Sequence, residues 1–296
     1  MAIETAINIA ALLIWLGVGV SDTENTLKGD DMGISEPTSV LLPFFEPPEP
    51  NIDVLREHPS FVNGDSAYDI YRYQWDDSSY DALKTHINPS WKDGDVNGMF
   101  IADDGKIYIY QKGSGQNTRL VHRFDSWSDT SPDSMRVSRD RTGGTAGIAV
   151  DDDGKIYMAW GHNDGSRLVR FPSFNSTPHT VPDEKETTGF APSGLTIRDG
   201  KIYIVNRTTK YTDTKVQIVR YDDWDDTTPD TKTIVGSYTT PYSGLDLDEQ
   251  GRIYIVINNN NSDIVRYDSW DSSSYETKSG ILPNESSNET WGLSVR

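Results

Sequence analysis

The chain contains no cysteine. This absence excludes disulfide bonds, thiolate zinc sites, iron–sulfur clusters and cysteine nucleophiles, although it does not decide the compartment. Lysine and arginine are also scarce: 27 of them stand against 46 aspartates and glutamates, for a formal net charge of −19. Because the phosphate backbone of a nucleic acid attracts basic surfaces, we expect no nucleic acid partner.

The acidic residues have a biased composition, since aspartate far outnumbers glutamate and arginine outnumbers lysine. Such a surface is similar to the surfaces of proteins from salt-loving organisms. At molar salt the screening length falls to about 3 Å, so that self-repulsion costs little. The alternative is an ordinary acidic surface that keeps the protein soluble.

Long hydrophobic runs are limited to one, in residues 5–20, and no lysine or arginine precedes Lys28. As a helix this run would rise about 24 Å, short of the roughly 30 Å hydrocarbon core of a bilayer. A signal peptide normally begins with a basic segment, which is missing here. We predict that residues 1–20 form an anchor helix, buried either in a protein assembly or in a membrane. An uncleaved signal is a third alternative.

Residues 21–50 are predicted to be a proline-rich connector. Prolines prevent a continuing helix and favour extended backbone. They stand at Pro37, Pro43, Pro47, Pro48 and Pro50. Because Leu41, Leu42, Phe44 and Phe45 are too apolar for a free linker, we expect part of this stalk to pack on a surface.

Residues 51–296 consist of a repeat with two alternating halves. One half is an arginine, an aromatic residue and a polar turn, beginning at Arg72, Arg123, Arg170, Arg220 and Arg266. The other half is a glycine, an alternating strand, a turn that usually contains Asp-Gly, and a second strand. It begins at Gly98, Gly147, Gly194, Gly244 and Gly292, and the last copy is cut short at Arg296.

The repeat predicts an all-β, five-bladed β-propeller of four-stranded blades. Period-two alternation on both sides of Asp-Gly is typical of a hairpin, and two further strands flank the arginine turn. Repeats of this length with four strands are propeller blades. The orphan strand at residues 292–296 is what the first unit lacks, so we expect the C-terminus to close the ring. Residues 51–56 are predicted to supply that blade's other missing strand, the alternative being a three-stranded first blade.

The sequence GIAVDDDGKIY at residues 147–157 resembles the repeat of NHL and streptogramin-lyase-like propellers. Those relatives commonly have six blades, and the Arg-aromatic-x-x-Trp half is not part of their pattern, so the resemblance implies architecture more than chemistry. Five blades also resemble the tachylectin type of sugar-binding propeller. The layout of anchor, stalk and acidic propeller resembles the spike or fibre proteins of viruses of halophilic archaea.

Residues that recur in every blade are expected to be structural. We predict that the repeated arginines bind carboxylates or carbonyls of an adjacent turn. The repeated aromatics are predicted to pack over those turns, with sugar stacking as the alternative; they are Trp75, Trp127, Phe174, Trp224 and Trp270. Asp151–Asp153 offer oxygen ligands for calcium, but one hairpin turn lacks the length of a full cage, and we predict no metal site.

Loops that differ between blades are better candidates for recognition, because the scaffold does not dictate them. In a propeller, the loops between second and third strands and those between blades emerge on one face. Aromatic, amide and hydroxyl side chains in these loops suit neutral polar ligands such as glycans. The predicted ligand-binding residues are Trp91, Asn97, Trp160, His162, Asn163, Phe190, Tyr211, Tyr242, Asn259 and Trp291.

Signals for catalysis are few. The five histidines show no metal-ligand spacing, and neither a nucleophile elbow nor a phosphate-binding glycine loop is present. Two single residues differ at the glycine half, where Asn97 and Trp291 precede their glycines and the other blades carry small residues. A lone asparagine or tryptophan fits ligand binding better than acid–base chemistry. We therefore predict no catalytic residue and no cofactor.

The function predicted from these observations is attachment. The propeller would be displayed outside a cell or on a virion surface as a spike or fibre component, held through residues 1–20 by virion or envelope proteins or by a membrane. Its loops would bind a glycan or a protein of the host surface, and several copies, including a homo-oligomer, would strengthen binding. The alternatives are a propeller lyase or glycoside hydrolase acting at the central channel, and a structural decoration of the virion.

Overall fold

The computed structural model describes residues 49–62, 65–80, 82–84, 94–113, 119–137, 145–162, 165–175, 182–207, 216–234, 242–257, 263–280 and 290–296. The chain divides into two units, Met1–Pro47 and Pro48–Arg296. The predicted anchor helix and the connector up to residue 48 lie outside the described residues. Within the described ranges, no helix is long and apolar enough to cross a membrane.

The described part of the second unit consists of five antiparallel sheets of four strands each, which we call blades 1 to 5. This confirms the predicted five-bladed, all-β architecture. Blade 1 contains β20 (Thr290–Val295), β1 (Asn51–Val62), β2 (Asp65–Gln74) and β3 (Ala82–Lys84). Blade 2 contains β4 (Gly94–Ile101), β5 (Ile107–Gly113), β6 (Arg119–Phe124) and β7 (Asp133–Arg136).

The other three blades follow in chain order. Blade 3 contains β8 (Thr145–Val150), β9 (Ile156–His162), β10 (Gly165–Phe171) and β11 (Asp183–Thr187). Blade 4 contains β12 (Phe190–Arg198), β13 (Lys201–Arg207), β14 (Val216–Tyr221) and β15 (Asp230–Ile234). Blade 5 contains β16 (Tyr242–Leu247), β17 (Ile253–Ile257), β18 (Asp263–Tyr267) and β19 (Glu276–Lys278).

The two ends of the propeller meet in blade 1. The C-terminal strand β20 pairs antiparallel with β1, with Val54 opposite Leu293 and Ile52 opposite Val295. Strand β1 therefore supplies the strand that the first repeat lacks, and it runs further than the predicted residues 51–56. The inner strands β4, β8, β12, β16 and β20 contact one another in turn and close the ring.

Tight turns join the first and second strands of blades 2 to 5. In blade 4 the turn is Asp199–Gly200, and both residues have positive φ (52° and 73°). A two-residue turn of this kind matches the twist of the flanking strands, and it needs residues that tolerate the left-handed region. In blade 3 the wider turn places Gly154 at φ 77°, and its amide donates to the Asp151 carbonyl over 2.9 Å.

The strand directions define two faces of the ring. The turns between first and second strands, and those between third and fourth strands, lie on one side, which we call the turn face. The connections between second and third strands and those between blades lie on the other side, the loop face. Much of the loop face falls in the gaps between the described ranges.

The hydrophobic core lies between neighbouring blades. One cluster joins blades 2 and 3 through Tyr110, Val121, Ile148 and Met158, and four comparable clusters join the other pairs. Blade faces alternate because side chains on a strand point to opposite sides. Each blade thus buries one face against the preceding blade and the other against the next.

Candidate functional site

The repeated arginines lie between blades on the turn face. In four blades the guanidinium contacts the carboxylate that begins the fourth strand, as in Arg170–Asp183 at 2.7 Å. Arg72 has Ala82 opposite instead, and it binds Asp53 with two hydrogen bonds of 2.7 and 2.9 Å. The predicted carboxylate contacts are therefore confirmed, and a charge-assisted pair of this geometry is among the stronger hydrogen bonds.

Each of these guanidinium groups also stacks on the repeated aromatic residue of the next blade. Arg72 lies 4.0 Å from the centre of the Trp127 ring, and Arg266 lies 4.3 Å from that of Trp75. Four of these aromatic rings also pack edge-on against a tyrosine in the second strand of the preceding blade, as in Tyr157–Trp224 at 5.8 Å. The repeated tryptophans thus have a packing role in the scaffold.

A lysine at the fourth strand holds the same turn from the other side. Lys185 donates through Nζ to the carbonyls of Trp224 (2.8 Å) and Asp226 (2.7 Å) in the next blade. Lys84, Lys232 and Lys278 make related contacts. Blade 2 carries Met135 at this position, and the turn that it faces carries Phe174 instead of a tryptophan.

A ring of five glycines narrows the channel along the propeller axis. A Cβ on Gly147 would lie 2.7 Å from the Leu195 amide nitrogen of the next blade, and one on Gly292 would lie 2.7 Å from that of Met99. Four of the five glycines are therefore required by the close approach of neighbouring inner strands, whereas a Cβ on Gly98 would meet no atom closer than 3.4 Å. Between them and the residues that follow them, only about 10 Å³ of space remains, the lower limit for one water molecule.

Each inner strand carries an irregularity next to its glycine, on the side towards the loop face. In blade 2, Val96 and Gly98 pair with consecutive residues of β5, so that Asn97 is the extra residue of a bulge. In blade 1, Leu55 pairs with Gly292 and Arg56 with Thr290, which makes Trp291 the extra residue. Ala146 and Ser243 are the extra residues of similar bulges in blades 3 and 5, and Ser193 lies in a longer irregularity between Phe190 and Gly194 in blade 4.

These five bulge residues surround the loop-face mouth of the channel. Bulges commonly occur beside functional sites because they change the direction of a side chain. Three of the five residues are alanine or serine, whereas Asn97 and Trp291 are larger. Because the C-terminal strand β20 is the inner strand of blade 1 and contacts β4 of blade 2, these two residues, far apart in sequence, occupy adjacent strands.

The turn face has a different opening, a cavity of about 620 Å³. Its rim is acidic, with Asp103, Asp104, Asp151, Asp152, Asp153 and Asp199. Several of these carboxylates bind groups of their own turn. Lys155 donates to Asp153 over 2.6 Å, which lowers the pKa of that carboxyl. Asp151 accepts from the Lys155 amide and from the Tyr157 hydroxyl.

This use of Asp151 by protein donors does not favour the calcium alternative at that turn. Among the residues that the structure describes, no group of three or more His, Cys, Asp or Glu is arranged to hold a metal ion.

Asp246 lies at the floor of this cavity and is 4% exposed. Its Oδ1 accepts hydrogen bonds from Thr196 Oγ1 (2.5 Å) and the Leu247 amide (2.8 Å). Its Oδ2 accepts from the Val295 amide (2.7 Å) and Ser294 Oγ (3.2 Å). Burial raises the pKa of this carboxyl to about 6. The carboxylate links blades 4, 5 and 1, so its role is to hold the ring closed.

The prediction that Trp160 lies in a loop is wrong. It lies in β9, is 3% exposed and packs in the core between blades 2 and 3. Ile156, Met158 and Trp160 alternate along one face of the strand, and this alternation was the signal that assigns Trp160 to the core. A buried ring of this kind cannot serve as an open platform for a ligand.

Five other predicted site residues also lie within strands rather than in loops. Their backbone positions are in β4, β9, β12, β16 and β20: Asn97, His162, Phe190, Tyr242 and Trp291. The inner strands begin earlier than predicted because a bulge interrupts the period-two pattern by which a strand is recognised. Trp91, Asn163, Tyr211 and Asn259 lie outside the described residues.

No protein-family model matches the chain, and no curated protein matches its sequence. Solved structures do match. An α-L-arabinofuranosidase from Clostridium thermocellum superposes with a TM-score of 0.50 and 14% sequence identity. The match covers 78% of this chain and 94% of the enzyme's chain. The chain folds as a five-bladed β-propeller.

Two other solved propellers are more distant. A catalytically inactive virginiamycin B lyase from Staphylococcus aureus has a TM-score of 0.39 at 14% identity, covering 79% of this chain and 75% of its own. The WD40 propeller domain of Doa1 has a TM-score of 0.39 at 14% identity, and the match covers 62% of this chain and 68% of the Doa1 chain. At such identities the likeness concerns the fold and not the activity.

The network around Asp246 was missed by sequence reasoning. Asp246 stands two residues after its glycine, where the other blades carry Phe100, Ala149, Thr196 and Ser294. A single carboxylate at an otherwise apolar or hydroxyl position was the available signal. Its partners could not be predicted, because they come from three different blades.

Proposed function

We propose that this protein is an attachment propeller, displayed on a virion or cell envelope through its N-terminal segment and binding a host-surface ligand through its loop face. The observation that supports the proposal is where the chain enters the propeller. Asn51 and Arg296 exchange backbone hydrogen bonds of 2.8 and 3.0 Å at the turn face. The described backbone therefore enters β1 and leaves β20 on that side of the propeller.

Ion pairs also hold the chain at the place where it enters the propeller. Glu49 contacts Arg252 at 3.2 Å and Arg266 at 3.5 Å, both in blade 5. A carboxylate held between two guanidinium groups keeps the first residues of the propeller on the turn face. A protein suspended from this point presents the opposite face outwards, as an attachment protein requires.

The difference between the side chains of the turn face and those of the loop face supports the same proposal. On the turn face, the repeated arginines, lysines and aromatic residues bind one another across blade boundaries and are occupied by the scaffold. The connections of the loop face vary between blades and are rich in Asn, Gly, Ser and Thr. Because the scaffold does not dictate these sequences, recognition is the natural use for them.

The absence of cysteine from the chain permits a test by oriented coupling. A single Ser273→Cys substitution places a thiol at the exposed turn after β18, on the turn face. Ser114→Cys places one directly after Gly113, the last residue of β5, whose end lies on the loop face. Beads coupled to the full chain through either thiol are then mixed with cells of salt-loving archaea at molar KCl.

We expect beads coupled through residue 273 to attach to cells of a susceptible strain, and beads coupled through residue 114 to attach at least about tenfold less. Many copies on one bead raise the effective concentration, so weak single contacts are detectable. Attachment that is equal in both orientations, or stronger through residue 114, would show that the loop face is not the binding face. Beads that attach to no strain in either orientation would contradict the attachment function.

A further inference from the structure

Three hairpins on the turn face carry an Asp-Gly pair in their turn: Asp104–Gly105 in blade 2, Asp153–Gly154 in blade 3 and Asp199–Gly200 in blade 4. In such a pair the side-chain carboxyl can react with the next backbone amide, because glycine has no Cβ to hinder the approach. All three glycines have positive φ. The turns differ, however, in length and in the groups that hold them, so they are matched sites within one chain.

The backbone amide of the glycine is bound in two of these turns. In blade 3, Gly154 donates to the Asp151 carbonyl over 2.9 Å, and the glycine of blade 2 makes the same contact at 2.8 Å. The turn of blade 4 is one residue shorter, since Arg198 and Lys201 are its flanking pair. In a two-residue turn the flanking residues exchange the backbone hydrogen bonds. Among the described residues, the Gly200 amide accordingly has no backbone acceptor.

The aspartate carboxylates of blades 2 and 3 are held by the lysine two residues later. Lys155 Nζ donates to Asp153 Oδ2 over 2.6 Å, and blade 2 has the same contact. In blade 4 the equivalent lysine binds elsewhere, because Lys201 Nζ donates to Asp222 Oδ1 over 2.5 Å. An ion pair favours the carboxylate over the carboxylic acid, which is the form that has a hydroxyl to lose. The Asp199 carboxyl is not held in this form by its lysine.

Asp199 also has an unfavourable backbone conformation. Its φ of 52° is the only positive value for a residue other than glycine in the part of the chain that the structure describes. A Cβ is crowded in this region, so the turn leaves its conformation at a lower cost than one that places only glycine there. Asp199 and Gly200 are exposed, and a Cβ on Gly200 would meet no atom within 4 Å. The surroundings therefore leave room for a reaction at this pair.

We propose that Asp199 is a site of covalent self-modification, where the turn converts to isoaspartate through a succinimide, and that Asp104 and Asp153 are protected. The Gly200 amide nitrogen attacks Asp199 Cγ, and the new N–Cγ bond replaces the C–OH bond of the carboxyl. The hydroxyl leaves with the amide proton as water.

The ring is then opened by water. Cleavage between the nitrogen and Cγ restores aspartate. Cleavage between the nitrogen and the backbone carbonyl carbon gives isoaspartate, in which the chain runs through Cβ and Cγ. The water lost in the first step is regained in the second, so the conversion is an isomerisation that consumes no oxidant or cofactor. It is independent of the proposed attachment function.

The modification acts on the contact between blades 4 and 5. Asp199 borders the turn-face cavity, and the adjacent Arg198 donates through Nη2 to the Leu247 carbonyl of blade 5 over 2.9 Å. Isoaspartate adds one backbone atom to a two-residue turn, whose geometry then no longer matches the twist of the flanking strands. The isomerised hairpin should therefore hold Arg198 less firmly against blade 5.

The test follows all three turns in one sample. The full chain is incubated at pH 6 and 37 °C in molar KCl, and isoaspartate is measured with an isoaspartyl methyltransferase and a labelled methyl donor. Mass spectrometry of chymotryptic peptides then locates it. A second sample is incubated unfolded in guanidinium chloride. Asp199→Glu is the matched variant, because glutamate keeps the charge but would have to close a larger ring.

In the folded chain, we expect Asp199 to isomerise at least about tenfold faster than Asp104 or Asp153. In guanidinium chloride the three rates should lie within about threefold of one another, and the Asp199→Glu variant should give no signal in the peptide 196–203. Equal rates in the folded chain, or no isoaspartate at residue 199, would overturn the inference. So would a preference for residue 199 that persists in the unfolded chain, since the cause would then be the local sequence and not the fold.

Discussion

Two buried titratable residues respond to pH in opposite directions. Asp246 is surrounded by four donors at the ring closure, and burial raises its pKa from 3.8 to about 6. His122 is 2% exposed, with Nδ1 at 2.8 Å from Ser134 Oγ and Nε2 at 2.9 Å from Gln111 Oε1. Burial lowers its pKa from 6.5 to about 4.

These shifts predict the pH dependence of stability for two variants. The folded protein binds an extra proton at Asp246 between about pH 4 and 6, so this group favours folding more as the pH falls. Neutral His122 supports folding above pH 6.5, and its contribution is lost as the pH falls towards 4. Each shift corresponds to about 3 kcal/mol.

The measurement is the free energy of unfolding by denaturant at pH 4.5 and 7 for the full chain. Relative to the natural protein, Asp246→Asn should lose stability on acidification, and His122→Val should gain it. Valine is the residue at the equivalent position of blades 3, 4 and 5, namely Val169, Val219 and Val265. If both variants show the pH slope of the natural chain, the two groups do not titrate as the structure indicates.

At the scale of elements, the closure of the ring depends on one short strand. In β20, Leu293, Ser294 and Val295 are each at most 2% exposed. The strand pairs with β1, and it supplies two of the four hydrogen bonds that Asp246 accepts. Its removal would expose the edge of β1 and leave a buried carboxylate half-satisfied, and both changes are costly.

Deleting residues 292–296 should therefore abolish cooperative unfolding or cause aggregation, because the ring can no longer close. The thermal melt of the truncated chain, followed by circular dichroism and light scattering, checks this expectation. Deleting Arg296 alone is the control, since it removes one backbone pair with Asn51 and the contact with Asp53 but keeps the buried residues. A chain that lacks 292–296 and still melts as sharply and as high as the natural protein would contradict closure by β20.

At the scale of the whole molecule, charge is the dominant feature. The net charge of −19 is spread over a surface whose basic residues already bind carboxylates and carbonyls. Turns such as residues 222–226 carry four aspartates within five positions. Repulsion among such groups opposes the compact state at low ionic strength and is screened at high ionic strength.

The thermal midpoint of the full chain should rise by at least about 5 °C between 0.1 M and 2 M KCl, which corresponds to roughly 2 kcal/mol for a domain of this size. Since screening is nearly complete at 1 M, most of the rise should occur below that concentration. A linear rise that continues to 4 M would indicate preferential exclusion of salt rather than screening. A flat or falling midpoint would leave the acidity as a solubility feature.

Sequence alone determined the number of blades, their strand order and the structural role of the repeated residues. The reason is that the blades share the same local demands. A left-handed turn residue such as Gly154 and an arginine opposite a carboxylate such as Asp183 occur in four blades, and an aromatic ring such as Trp224 occurs in all five. Demands that recur four or five times leave a visible period. The closure of blade 1 was also predictable, because residues 292–296 and residues 51–74 each lack what the other supplies.

Only the tertiary structure decided which residues meet across blades. The adjacency of Asn97 and Trp291, the four hydrogen bonds of Asp246 and the burial of Trp160 depend on how strands far apart in sequence pack side by side. A bulge hides the true start of each inner strand, since it breaks the alternation from which a strand is recognised. Local periodicity shows which side chains of a strand share a face, whereas the neighbouring blade determines what that face contacts.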